Sequence, residues 1–118
     1  MLSARSRPER GMVTAELAVG VLAVMLVTLM LAWCLHLVTR QLLLEDTAAE
    51  VARQAARGDL VAVTAAREDA PPGTVIELSR EMGSVVARAR TTVDGLEALP
   101  AVELTAEARV LVEPGETR

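Results

Sequence analysis

The most prominent feature of the hydrophobic pattern is an unbroken apolar run near the start of the chain. The run reads LAVGVLAVMLVTLMLAWCLHLV from Leu17 to Val38, without an acidic residue or an arginine. As a helix it would span roughly 33 Å at about 1.5 Å per residue, enough to cross a hydrocarbon core of about 30 Å. A buried helix of a soluble protein is the alternative, but the remaining sequence is too short to surround such a segment. The pattern therefore predicts one transmembrane helix over residues 17–38.

The helical pattern continues beyond the apolar run. Small and apolar residues recur on one helix face, at Leu44, Ala48, Val51, Ala52, Ala55 and Ala56. Glu50 and Arg53 have the i, i+3 spacing of a side-chain ion pair. Gly58 is a typical C-terminal stop, and Arg57 before it suits the helix dipole. We therefore expect one helix from about Met12 to Arg57, although an ordinary membrane anchor with a helical neck would give the same periodicity.

The last half of the chain changes from helical to strand periodicity. Asp59 can cap a short second helix, and Pro71-Pro72-Gly73 ends it, so residues 58–73 are interpreted as a short helix and linker. Alternation with a period of two then predicts three strands, at residues 74–79, 84–93 and 102–112. The expected fold is α+β, a long helix followed by a three-stranded antiparallel meander with one apolar face packed on helix. The meander occupies residues 74–113, and residues 114–118 are expected to be a tail.

Composition excludes several classes of function. The chain has 118 residues, a net charge of −4, no lysine and Trp33 as its sole aromatic residue, which argues against nucleic-acid binding. Cys34 is the sole cysteine, so a disulfide scaffold is excluded. His36 is alone in the apolar run and offers no metal site with Cys34, which points to another helix face. No catalytic constellation is present, so we expect no enzyme, no cofactor and no small-molecule substrate.

Charged residues also occur in the predicted sheet. Arg88 and Arg90 share a strand face, and Glu103, Glu107 and Arg109 lie on the next strand. This arrangement favours cross-strand ion pairs over a ligand site.

The charges that flank the apolar run predict its orientation. Within residues 1–10, Arg5, Arg7 and Arg10 stand against a single acidic residue, Glu9. The C-terminal flank has Arg40 and then Glu45 and Asp46. The positive-inside rule then places the N-terminus in the cytoplasm and the C-terminal part outside the membrane.

Two kinds of cleaved signal are alternatives to this membrane span. A secretory signal peptide has a shorter apolar core and a small-x-small cleavage site, which the exit Trp33-Cys34-Leu35-His36 lacks. A lipoprotein signal would use Cys34, but the bulky Trp33 stands where a small residue is expected. Cys34 is therefore interpreted as a small apolar residue of the helix.

A glutamate adjoins the apolar run on its N-terminal side. Gly11 is followed by four residues and then by Glu16, directly before Leu17. A carboxylate at this place is costly near lipid, and it could simply mark the end of the span. However, a basic leader, a glycine, a glutamate at this spacing and about twenty apolar residues together resemble a type IV prepilin signal.

That resemblance implies a cleavage on the cytoplasmic side between Gly11 and Met12, by a prepilin peptidase. Residues 1–11 would then be a leader peptide, and Glu16 would become the fifth residue of the mature chain. Cleavage would give Met12 a new α-amine, with a reference pKa of about 7.7–8.0. The Glu16 carboxylate of one subunit could pair with the Met12 amine of a neighbour and so select the axial register of an assembly.

The wider sequence is similar to the TadE-like minor pilins, pseudopilins of the Tad secretion system. The similarity extends over Arg10 to Asp59, from RGMVTAELA through the Ala/Arg-rich stretch to AARGD. Leu17 stands where Flp-type major pilins have tyrosine, which favours a minor component. The resemblance implies other pilin-like subunits, Tad-type assembly proteins and membrane lipid as partners, and a single-pass location in the cell membrane or a surface pilus. The alternative is an uncleaved membrane adaptor that binds other envelope proteins through its external domain.

Overall fold

The computed structural model describes residues 7–95 and 97–112. The predicted leader residues 1–6 and the predicted tail 114–118 lie outside these ranges. The elements, in chain order, are two helices and three strands: α1 Arg7–Ala56, α2 Leu60–Glu68, β1 Val75–Glu81, β2 Ser84–Val93 and β3 Val102–Leu111. The chain divides into two compact units, Met1–His36 and Leu37–Arg118. The α+β architecture predicted from the sequence is confirmed.

Helix α1 begins five residues before the predicted boundary at Met12. Pro8 falls in its first turn, where the backbone nitrogen of a proline is not needed for an intrahelical hydrogen bond. Glu9 is also in the first turn, where its negative charge suits the helix dipole. Residues 7–11 of the expected leader and the expected mature segment are therefore joined within one helix, and Gly11 lies inside it.

The second helix and the turns follow the predicted chemistry. Gly58 has a φ of +74°, so the chain leaves α1 through the left-handed conformation that glycine adopts without strain. The carboxylate of Asp59 accepts a hydrogen bond of 3.0 Å from the backbone nitrogen of Ala62, which caps α2. Between β1 and β2, Met82 and Gly83 form a two-residue loop with φ values of 44° and 78°. Positive φ at both positions indicates a type I′ hairpin turn.

The sheet is an antiparallel meander in the order β1-β2-β3. The β1–β2 pairs run from Val75 with Arg90 to Glu81 with Ser84, and the β2–β3 pairs run from Ser84 with Leu111 to Val93 with Val102. The central strand is buried without interruption from Ser84 to Ala87 and then at alternate positions to Val93, as its alternating sequence predicts for that second part. Its apolar face therefore fixes this register, because a shift by one residue would expose it.

The core of the second unit joins one face of the sheet to α1 and α2. The buried helix residues are those of the predicted stripe, with Val63 from α2. They form two clusters with the sheet: Val51, Ala52, Ala55, Val63, Val85 and Ala87 in one, and Leu44, Ala48, Ala89 and Ala106 in the other. Most members are alanine or valine, so the core is close-packed but contributes little apolar area per residue.

Candidate functional site

The three residues of the predicted processing motif lie on the exposed N-terminal part of α1. Gly11, Met12 and Glu16 are all exposed. A Cβ added at Gly11 would meet no other atom within 4 Å, so the glycine is not required by packing in the chain itself. Met12 and Glu16 are four positions apart and share one helix face. Side chains of a helix lean toward its N-terminus, so the Glu16 carboxylate extends from its own turn toward that of Met12.

The bond between Gly11 and Met12 lies within helical turns close to the start of α1. Glycine lowers the stability of a helix interior by about 0.8–1.0 kcal/mol relative to alanine, and terminal turns fray most readily. Local unwinding of these turns would therefore expose the Gly11–Met12 bond at small cost. The hydroxyl of Thr14 donates a hydrogen bond of 2.9 Å to the backbone oxygen of Arg10. Hydrolysis after Gly11 would separate these two partners.

Hydrolysis at this bond would also create a new helix N-terminus. The backbone N–H groups of the first four residues of any helix lack intrahelical acceptors. A chain that began at Met12 would place Glu16 one turn from an ammonium group and near the positive end of the helix dipole. The carboxylate would then have two sources of positive charge to stabilise it at the edge of the membrane, the amine and the unpaired N–H groups.

The apolar run carries no buried residue over its first half. The 18-residue window with the highest mean hydropathy, 2.5, is 0% buried, so α1 is long and apolar enough to span a membrane. Thr28 donates from its hydroxyl to the backbone oxygen of Val24 at 2.8 Å, which satisfies the polar group within the helix. A shallow, almost wholly apolar hollow of about 420 Å³ lies on this surface, lined by Leu17, Gly20, Val21, Val24 and Met25.

The C-terminal end of the apolar run carries an aromatic pair. The rings of Trp33 and His36 have centroids 5.8 Å apart and a tilt of 31°. Trp33 is half-buried and His36 is exposed, an arrangement suited to a membrane–water interface. Cys34 is exposed and unpaired. Over residues 7–95 and 97–112 the structure brings no three His, Cys, Asp or Glu side chains together as metal ligands.

Among the residues that the structure describes, the solvent-facing side of the sheet carries three cross-strand ion pairs. They join Arg88 to Glu107 at 2.9 Å, Arg90 to Glu77 at 3.1 Å and Arg109 to Glu81 at 3.3 Å. The predicted cross-strand pairing of the two β2 arginines is therefore confirmed. Glu77 and Glu81 are partners that the sequence reasoning missed, because it considered only the acids of β3. Each pair is about half exposed, so it selects strand register more than it adds stability.

The charge pairs shift the acidity of two carboxyl groups in the second unit. The hydrogen bond and the positive charge of Arg88 lower the pKa of Glu107 below its ordinary value. The hydrogen bond from Gln54 lowers the pKa of Glu50, and the Arg53 guanidinium, 2.8 Å away, adds to this effect. These groups lie on exposed faces, and nothing in their arrangement resembles a paired acid and base. The structure thus offers an exposed N-terminal helical segment, a helix long and apolar enough to span a membrane, and a small folded unit.

Comparison with known proteins gives one informative relative. No protein-family model matches the chain. A protein of Mycobacterium tuberculosis (strain ATCC 25618 / H37Rv), named Apoptosis inhibitor Rv3655c, is 37% identical over 100 residues, which cover 81% of this chain and 78% of the relative. No solved structure matches.

Proposed function

We propose that this chain, which belongs to the same family as the Mycobacterium tuberculosis protein named Apoptosis inhibitor Rv3655c, is a TadE-like minor pilin or pseudopilin. In this role it is a structural component of a Tad-type pilus assembly or secretion system. It has no catalytic activity of its own. Its partners are a prepilin peptidase, other pilin-like subunits, Tad-type assembly proteins and membrane lipid.

The observation that supports the proposal is the placement of the glycine and the glutamate on α1. Gly11 and Glu16 lie on an exposed helical segment directly before an apolar run whose most hydrophobic 18-residue window is 0% buried among the described residues. A span of an ordinary anchor has no need for a carboxylate at this edge, where a charge is costly. A subunit that is cleaved after Gly11 gains the compensating amine. Cleavage therefore accounts for both residues: Gly11 precedes the bond that is cut, and the new Met12 amine offsets the cost of the Glu16 charge near lipid.

In the proposed pathway the peptidase hydrolyses the Gly11–Met12 amide from the cytoplasmic side. Water adds to the carbonyl carbon of Gly11, and the amine of Met12 is the leaving group. The mature helix then associates laterally with other subunits, and Glu16 pairs with the Met12 amine of a neighbour. Both charges are neutralised together, which makes axial registers without the pair unfavourable. The second unit stays outside the membrane, as the flanking charges predict.

Co-expression with a prepilin peptidase tests the processing step. We expect the wild-type chain to be shortened in membranes that contain the peptidase, and Gly11→Val to remain at full length, because a β-branched side chain beside the scissile bond hinders the peptidase from reaching the backbone. Gly20→Val is the matched control, since Gly20 is also an exposed helical glycine with no atom near its added Cβ. Equal processing of wild type and Gly11→Val would refute a cut after Gly11.

The second function that we consider is an uncleaved single-pass adaptor. It is favoured by the second unit, which has its own core and could bind envelope proteins without any processing. An adaptor would remain at full length with the peptidase present and would keep its partners in the Gly11→Val variant. A pilin-like subunit would lose its assembled form in that variant. The same pair of strains therefore separates the two functions.

The name of the relative attributes inhibition of apoptosis to that protein. The 37% identity over 81% of this chain makes the same activity a further candidate here. Expression of the full chain in cultured animal cells that receive an apoptosis inducer would test it. Reduced caspase activation relative to cells with an empty vector would support this candidate, and unchanged activation would exclude it under those conditions.

A further inference from the structure

Three buried polar side-chain atoms in the second unit have no hydrogen-bond partner among the described residues. They are Nε of Arg40 and the Oγ1 atoms of Thr74 and Thr91. A buried polar group without a partner typically costs about 1–3 kcal/mol, so each such group calls for a bound molecule or a functional reason. Three such atoms in one small unit have a common explanation if they lie close together.

The sheet brings the two threonines together. Thr91 lies on the same face of β2 as the buried Ala87 and Ala89 and is only 4% exposed. The β1–β2 ladder begins with Val75 opposite Arg90. Thr74 directly precedes Val75, so the register places it beside Thr91. Both hydroxyl groups therefore lie at the same end of the core.

The helix places Arg40 at that same end. Arg40 is one turn before the fully buried Leu44 and lies on the same helix face. Leu44 packs in the cluster that contains Ala89. The neighbouring Gln41 donates from Nε2 to the backbone oxygen of Thr105 at 2.9 Å, and Thr105 pairs with Arg90. Arg40 is therefore level with the end of β2 that carries Thr91.

The sequence places Arg40 at the edge of the membrane. Arg40 follows the apolar run by two positions, about 3 Å along a helix. Leu42 and Leu43 are exposed on the outer side of the helix, and the first acidic residues after the span are Glu45 and Asp46. Lipid thus has apolar helix surface to contact as far as Leu43, while Arg40 faces the sheet. This places the guanidinium at the depth of the lipid headgroups in either orientation of the chain.

We propose that Arg40, Thr74 and Thr91 bind one phosphate oxyanion, presented by the headgroup of an anionic phospholipid. A guanidinium N–H and two hydroxyl groups are donors that suit phosphate oxygens, and arginine is the side chain best shaped for them. The position of Arg40 at the edge of the apolar run favours the phosphodiester of a lipid headgroup, which is held at the membrane surface, over free inorganic phosphate.

This site depends on the membrane span and on the fold of the second unit. It does not depend on cleavage after Gly11 or on assembly into a pilus. Failure of the processing experiment would therefore leave it unaffected, and its own failure would leave the proposed pilin function unaffected.

The test uses the full chain in micelles of a neutral detergent, with native mass spectrometry of the bound lipid and thermal unfolding as paired measurements. Short-chain phosphatidylglycerol, short-chain phosphatidylcholine and inorganic phosphate are added separately. We expect phosphatidylglycerol to be retained and to raise Tm, with weaker effects of the other two. Arg40→Gln should reduce retention of phosphatidylglycerol about tenfold or more, because a hydrogen bond to a charged group contributes about 1.5–3 kcal/mol. Arg57→Gln is the control and should retain it fully, because Arg57 is exposed at the other end of the helical part of this unit.

Thr91→Val separates a binding role from a structural one. Valine has nearly the same shape as threonine but no hydroxyl group, so the variant should keep or raise the Tm of the lipid-free protein. We expect it to lose phosphatidylglycerol several-fold at the same time. Unchanged lipid retention in both Arg40→Gln and Thr91→Val would overturn the site. A rise in Tm with inorganic phosphate equal to that with phosphatidylglycerol would overturn the assignment to a lipid headgroup.

Discussion

Leu44 is the largest side chain in its core cluster, and its truncation tests how the second unit is held together. It is 0% exposed, and its buried neighbours Ala48, Ala89 and Ala106 are all alanine. Leu44→Ala removes the equivalent of three methylene groups, about 2.4 kcal/mol at about 0.8 kcal/mol each. A cavity contribution adds to this, because the buried alanine neighbours cannot extend into the space and only the partly buried Ile76 and Leu104 can shift toward it. We therefore expect a loss of about 3–4 kcal/mol, within the range of about 2.7–5.0 kcal/mol for such changes.

Amide hydrogen exchange of the full chain in detergent micelles measures this loss at the strands themselves. Since about 1.4 kcal/mol corresponds to a factor of ten, amides of β2 should exchange at least 100-fold faster in Leu44→Ala, or reach the unprotected rate. Leu43→Ala is the matched control, because Leu43 is the adjacent leucine and is 47% exposed. It should change exchange by less than threefold. Similar effects of the two substitutions, or less than a tenfold effect of Leu44→Ala, would refute the proposed packing of α1 on the sheet.

Three further predictions concern the turns, the cap and the ion pairs of the second unit. Met82→Asn should stabilise the unit by about 0.5–1 kcal/mol in thermal unfolding, because asparagine tolerates the positive φ that methionine adopts there. An unchanged or lower Tm would contradict the turn assignment. Asp59→Ala should cost about 1 kcal/mol and speed amide exchange in α2, whereas Asp59→Asn should cost little; equal losses would exclude the capping role. Arg88→Gln should raise the pKa of Glu107, measured by NMR titration of its side chain, whereas Arg57→Gln should not; an unchanged value in Arg88→Gln would exclude the pair.

The shifted pKa of Glu107 has a definite sign for stability. Its pKa is lower in the folded chain than in the unfolded chain, so the folded state favours the ionised carboxylate. The resulting contribution is fully present above the unfolded pKa, about 4.3 for glutamate. It is lost as the pH falls through the lower folded pKa. Stability measured in wild type and Arg88→Gln should therefore converge under acidic conditions and differ at neutral pH.

Much of the fold follows from periodicity, because each element has one face that must be buried. The apolar stripe of α1 from Leu44 to Ala55 is the buried stripe of the structure, and the alternation of β3 matches its exposure. Turn chemistry at Gly58 and Pro71–Gly73 marked the ends of the helices correctly. These features depend on local sequence, so they can be predicted without knowing which elements meet.

Other features depend on which strands become neighbours, and the sequence did not reveal them. Val86 alternates along β2 with the core-facing Val85 and Ala87, so the sequence pattern predicts that it faces solvent. It is nevertheless fully buried, because it lies on the central strand between Ser79 and Arg109. The partners Glu77 and Glu81 became identifiable only from the β1–β2–β3 order. The convergence of Arg40 with Thr91 likewise needs the register of the sheet and the direction of α1 across it.

The candidate site likewise has some features that the sequence predicts and others that depend on the structure or on other proteins. The positions of Gly11, Met12 and Glu16 relative to the apolar run can be read directly from the sequence, and the structure adds that they share an exposed helix. The start of α1 at Arg7 was missed, because a basic segment that contains proline gives little helical periodicity. Processing and pairing with a neighbour involve other proteins, so a single chain cannot contain their contacts.

The measurement that tests the central claim most directly is the intact mass and N-terminal sequence of the protein extracted from its own membranes. The account predicts a mature chain that begins at Met12, with the leader through Gly11 removed. A chain that still begins at Met1 or Leu2, from cells with an active prepilin peptidase, would contradict it. In that case the spacing of Gly11 and Glu16 would have no role in processing, and the uncleaved adaptor would be the better description.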